Sequence, residues 1–97
     1  MPPDTSDKIT SEKLTKYFDI SNRALKKAKS TVNKERKEES AKILDMAERY
    51  ISDAEFFRKK GDFINAFAAL NYAHGWLDTG SKLGIFDVDD SELFVVK

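Results

Sequence analysis

Apolar residues recur at three- and four-residue steps along most of this chain. Leu14, Phe18, Leu25, Ala28 and Val32 share one stripe, with Ser21 as its polar member and Tyr17 and Ala24 widening it. Leu44, Ala47, Ile51, Ala54 and Phe57 form a second, flanked by Ile43, Tyr50 and Phe56. Phe63, Ala66, Phe67, Leu70, Ala73, Leu77 and Leu83 form a third. The pattern predicts three amphipathic helices. Thr10 or Ser11 can cap the first, and Glu12 suits the positive end of its dipole. The stripe fades at Lys29–Ser40, where Ser30, Thr31 and Asn33 disfavour a continuous helix, so a turn is expected near 30–37. The second helix is expected from Lys37 to Lys60, with Arg58, Lys59 and Lys60 in its last turn.

Gly61-Asp62 is the strongest punctuation. The glycine suits a left-handed terminator and the aspartate can cap the next helix at once. A connection this short makes the second and third helices an antiparallel hairpin. In a regular hairpin Phe57 faces Ala66, Ala54 faces Ala69, Tyr50 faces Ala73 and Ala47 faces Trp76. The third helix is expected from Phe63 to about Leu83, with Gly84 ending it. Both prolines stand at positions 2 and 3, so nothing later breaks a helix by that route. The expected fold is therefore all-α: a three-helix up-and-down bundle in one domain over 1–97. Residues 1–9 form a frayed lead-in and 85–97 a non-helical C-terminal tail. Ile85 and Phe86 are expected to tuck against the bundle, and the last residues to be loose or partner-bound. The expected core is Leu14, Phe18, Leu25, Leu44, Ala47, Ile51, Ala54, Phe57, Ala66, Phe67, Leu70, Ala73 and Leu77.

The third helix carries the stretch NYAHGWLDTG (71–80), with the chain's only histidine and only tryptophan. Tyr72, Trp76, Thr79 and Leu83 run along one line of a helix, and His74 and Asp78 share another face. Gly75 and Gly80 each cost a helix about 1 kcal/mol relative to alanine. Close approach of the neighbouring helix at Gly75, with Trp76 filling the space beside it, accounts for the stretch as packing. Tyr50, Asp53, Tyr72, His74 and Asp78 are the candidate lining of a polar groove. Asp45 can approach Asp78 across the hairpin, but His74 and Asp78 alone are half a metal site. No serine or cysteine stands at a spacing that identifies a catalytic triad with His74. No catalytic residue, cofactor or metal is expected.

Charge changes the picture modestly. The net charge is zero, yet residues 8–42 hold a surplus of cations and residues 43–97 a surplus of carboxylates. Lys26, Lys27, Lys29, Lys34, Arg36 and Lys37 make a candidate basic patch for nucleic acid. Glu35, Glu38 and Glu39 dilute it, and no aromatic residue interleaves for base stacking. There is no phosphate-binding GxxxxGK[ST] loop and no GxGxxG turn. The absence of cysteine excludes disulfides and thiolate chemistry. No apolar run reaches the roughly 18 residues of a membrane span, and a cytoplasmic protein without a membrane partner is expected.

Residues 49–86 resemble the small archaeal family called domain of unknown function 357. Tyr50, Asp53, Ala54, Phe56, Phe57, Gly61, Asp62, Ala66, Tyr72, Ala73, Gly75, Leu77, Asp78, Gly80 and Gly84 match its pattern in order and spacing. The resemblance implies a closed three-helix bundle from an archaeal cytoplasm and implies no activity. The leading functional expectation is a non-enzymatic interaction or scaffold module. It would engage a protein partner or a second copy through a helical face or through Phe94, Val95 and Val96. A nucleic-acid accessory protein using the basic patch is one alternative. A metal- or small-ligand-dependent enzyme centred on His74 and Asp78 is the other.

Overall fold

A computed structural model describes residues 8–88 together with Leu93 and Phe94. Most of the expected lead-in, and Val95 and Val96, lie outside the described residues. Three helices follow one another: α1 over Ser11–Ser30, α2 over Lys37–Lys59 and α3 over Phe63–Lys82. A 3-10 turn over Lys34–Arg36 leads into α2. The expected bundle is present, and α2 and α3 share its largest helix–helix interface.

Local chemistry explains each boundary. Thr10 is the cap of α1, its hydroxyl accepting the Lys13 N–H at 3.1 Å. Thr31 closes α1, its hydroxyl donating to the Lys27 carbonyl at 2.8 Å. Asp62 caps α3, accepting the Asn65 N–H at 3.1 Å through one oxygen and the Asn65 side-chain amide at 2.7 Å through the other. Gly61 and Gly84 both adopt left-handed φ, +77° and +74°. At each glycine the helix ends with the same pair of bonds. Asp62 N–H reaches the Phe57 carbonyl and Gly61 N–H reaches that of Arg58. Ile85 N–H and Gly84 N–H likewise reach Gly80 and Ser81. This double closure satisfies carbonyls that a bare helix end leaves orphaned.

The core has two storeys. The lower holds Leu14, Phe18, Ile51, Ala54, Ala66, Ala69, Leu70 and Ala73. Its four alanines line the α2–α3 contact, as a close hairpin requires. The upper storey holds Ala24, Ala28, Ile43, Ala47 and Leu77 from the helices, and Ile85, Phe86, Leu93 and Phe94 from the segment after them. Here the helices supply mostly methyl groups, so the post-helical side chains fill the space between them. Each such burial contributes about 1.5–3 kcal/mol relative to exposure. The expected tucking of Ile85 and Phe86 is observed, at 2% and 1% exposure. Phe94 is corrected: it is buried rather than offered to a partner. Of the expected core, Leu25, Leu44, Phe57 and Phe67 are only half-buried at its edge.

The same segment is tied by its backbone to the α1–α2 connection. Asn33 N–H donates to the Ile85 carbonyl at 2.9 Å and Asp87 N–H to that of Thr31 at 2.7 Å, around a one-residue antiparallel bridge between Val32 and Phe86. Arg36 donates to the Leu83 carbonyl and pairs with Glu39 at 2.9 and 3.0 Å. Its hydrogen bond to Arg36 is the main reason that Glu39 titrates below the ordinary glutamate range, and the bond holds Arg36 above its usual value.

Gly80 is where Phe86 sits. A Cβ there would stand 2.4 Å from Phe86 Cε2, too close for two carbons. Gly75 differs, and the expected helix approach at that position is corrected: the residue is exposed, and a Cβ would meet no atom of the described residues within 4 Å.

The same substitution at these two glycines should therefore have opposite signs in urea unfolding. Gly75→Ala should stabilise by about 0.5–1 kcal/mol through helix propensity. Gly80→Ala should destabilise, because overpacking of about 1–3 kcal/mol outweighs that gain. Equal effects would contradict the seat of Phe86 on Gly80. The Glu39 pair makes a pH prediction. Because Glu39 binds its proton more weakly when folded, the pair's contribution is present above the ordinary glutamate range and lost as pH falls through the lowered value. The stability gap between the parent chain and Glu39→Gln should close in acid; a gap unchanged by pH would count against the pair.

Candidate functional site

Helix α3 projects its one His–Asp pair and its aromatic residues from different sides. On the side towards α2, Tyr50 and Tyr72 stack with ring centroids 4.4 Å apart and planes 16° apart. Trp76 continues the row, its ring nearly parallel to that of Tyr72 at 6.5 Å. Such offset stacks add to the burial of the rings themselves. Tyr72 is nevertheless 54% exposed. The indole Nε1 of Trp76 is buried and has no acceptor among the described residues. A shallow hollow of about 390 Å³ lies over this row, lined by Asn71, Tyr72, Gly75, Trp76 and Thr79.

On the side towards α1, His74 Nε2 and Asp78 Oδ1 stand 3.6 Å apart, both side chains about four-fifths buried. That separation is longer than a hydrogen bond and is an ion pair only when the imidazole is protonated. A cleft of about 350 Å³ opens above the pair, with Tyr17, Ile20 and the buried Ser21 forming its α1 wall. The His74 ring lies 6.4 Å from that of Phe94. Asn71 and Gly75 line both hollows and form the ridge between them.

The five groove residues read from sequence thus divide. Tyr50 and Tyr72 meet, and His74 and Asp78 meet, but on opposite sides of the Asn71–Gly75 ridge. Asp53 lines neither hollow and is exposed on α2. Asp45, expected near Asp78, pairs with Arg49 at 3.0 Å. No group of three or more histidine and acidic side chains converges among the described residues. Ser21, the polar member of the first apolar stripe, is buried and lines the cleft of His74 and Asp78.

The basic patch is also divided. Lys29 pairs with Glu48 at 3.2 Å, and Arg36 is held by Glu39 and the Leu83 carbonyl. Lys26, Lys27, Lys34 and Lys37 stand exposed around the α1–α2 turn. Among the described residues, no helix is long and apolar enough to cross a membrane.

Comparison with known proteins places the chain. Neither the curated proteins nor the solved structures give a match. The family model described as "Protein of unknown function (DUF357)" matches residues 16–86. That span reaches well into α1, beyond the helical hairpin that carries the visible motif, and it ends at the buried Phe86. With most of α1, the whole of α2 and α3 and the seat of Phe86 inside the match, this chain belongs to the DUF357 family of proteins of unknown function.

Proposed function

We propose that this domain is a non-enzymatic protein-interaction module whose binding face is the outward side of α3 from Asn71 to Thr79, with Tyr50 beside it. Gly75 carries the reading. A glycine within a helix costs about 1 kcal/mol relative to alanine, and no neighbour among the described residues requires one here. A bare backbone on an open surface lets an outside chain come close. Tyr72 next to it is a rigid aromatic ring, half-exposed and already held by Tyr50. Aromatic anchors of this kind carry much of the energy at protein interfaces. A cytoplasmic setting goes with this reading, in keeping with a chain without cysteine.

Less supports the alternatives. Two of the six cations in the basic patch are paired with carboxylates. His74 and Asp78 share their cleft with a serine and a tyrosine, but they stand 3.6 Å apart and no third histidine or acid joins them among the described residues. The tail-mediated version weakens with the burial of Phe94.

Affinity capture from the native cell, run in parallel with Tyr72→Glu, Gly75→Arg and Lys26→Glu/Lys27→Glu, tests the proposal. The parent chain and the lysine variant should retain the same protein. The two α3 variants should lose it by about tenfold or more, with melting curves confirming that they remain folded. Retention of nucleic acid that disappears only in the lysine variant would replace this reading with the second one.

A further inference from the structure

The far end of the bundle, where the Gly61-Asp62 corner joins α2 to α3, has a surface unlike the rest. We infer that this hairpin tip docks on an anionic lipid surface, with Ile64 and Phe63 entering the interfacial layer and a ring of lysines meeting the headgroup phosphates. The inference concerns a different end of the molecule from the α3 face proposed above and does not depend on it.

Four observations carry it. First, the apolar side chains at the tip point outwards. Ile64 is 74% exposed and Phe56 is 55% exposed, two of the four large apolar or aromatic side chains that stand exposed among the described residues. Phe63, Ile9 and Phe67 line the open hollow beside Ile64. Second, cations surround them. Lys8 and Lys13 border that hollow on the α1 side, and Lys59 and Lys60 flank the corner on the other. The Lys60 ammonium lies over the Phe56 ring at 4.5 Å, so apolar surface and positive charge are adjacent. Third, two of the three described acids nearest the tip are engaged, Glu12 in the first turn of α1 being the exposed one. Both oxygens of Asp62 bond to Asn65, and Glu55 pairs with Arg58 at 3.3 Å. Asp4 and Asp7, upstream of Lys8, lie outside the described residues. None of Lys8, Lys13, Lys59 and Lys60 makes an ion pair among the described residues. Fourth, the hollow these residues line is open and lies at a helical corner, which suits partial insertion better than enclosure of a peptide.

The chemistry is that of interfacial proteins. Apolar side chains enter the headgroup–acyl boundary while long lysine stems carry their charges to the phosphates. The absence of a membrane-spanning helix among the described residues has no bearing on such a contact, which asks only for a tip. Each lysine near an anionic surface strengthens binding about fivefold, and salt weakens the effect.

Vesicle flotation of the full chain tests this. Vesicles of equal parts phosphatidylglycerol and phosphatidylcholine should carry the protein at low salt; pure phosphatidylcholine should not. Lys59→Ala/Lys60→Ala should weaken binding by about twenty-five-fold, two steps of the fivefold effect. Ile64→Asp should weaken it by about tenfold or more while leaving the melting curve unchanged, since the side chain is exposed. Absence of binding to either vesicle would overturn the inference. So would full binding by Ile64→Asp, which would mean charge adsorption without insertion. A concentration-dependent mass in light scattering that Ile64→Asp abolishes would assign the tip to a second copy and overturn it as well.

Discussion

Phe86 resting against the bare backbone of Gly80 is the contact on which the upper half of this bundle depends. Three helices that meet through Ala24, Ala28 and Ala47 cannot by themselves fill the space between them. Protein interiors tolerate few voids, and each lost contact costs dispersion energy as well as apolar burial. The chain meets this constraint by turning at Gly84 and laying Ile85 and Phe86 into the gap. Leu93 and Phe94 complete the same storey. The backbone bonds to Thr31 and Asn33 then fix the segment to the turn between α1 and α2. A stretch without helical period is thereby as much core as the helices.

This division explains what could be read in advance. Helix boundaries were legible because they are set locally, by Thr10, Asp62 and the left-handed Gly61 and Gly84. The hairpin was legible because two residues leave only one way to return. The alanine-lined lower core follows from the stripes. A close approach at Gly80 was legible from its cost to the helix, but its partner was not, because Phe86 reaches it through a turn whose direction the local pattern does not encode. Gly75 and Gly80 look alike in sequence, five residues apart on one helix, yet one is open and the other is filled. The burial of Phe94 was hidden for a related reason: only the vacancy left by alanines on other helices makes room for it.

The candidate site was legible in its residues and not in its grouping. His74 and Asp78 were placed together by their four-residue spacing, and Tyr50 with Tyr72 by the register of the hairpin. That the Asn71–Gly75 ridge separates the two pairs depends on which side of α3 each neighbouring helix occupies. Sequence periodicity gives a stripe its width but does not say which helix faces which edge. The resulting surface has an aromatic row on one flank, a polar cleft on the other and an exposed glycine between them. The helix beneath this surface carries Phe86 against Gly80 five residues further on.

The most direct measurement is the unfolding free energy of Phe86→Ala by urea titration. If the post-helical segment is core, removing this ring should cost about 3–5 kcal/mol, as for a buried phenylalanine within a helix bundle. A loss below about 1 kcal/mol, the range of an ordinary surface change, would mean that the helices hold together without it and would contradict the account.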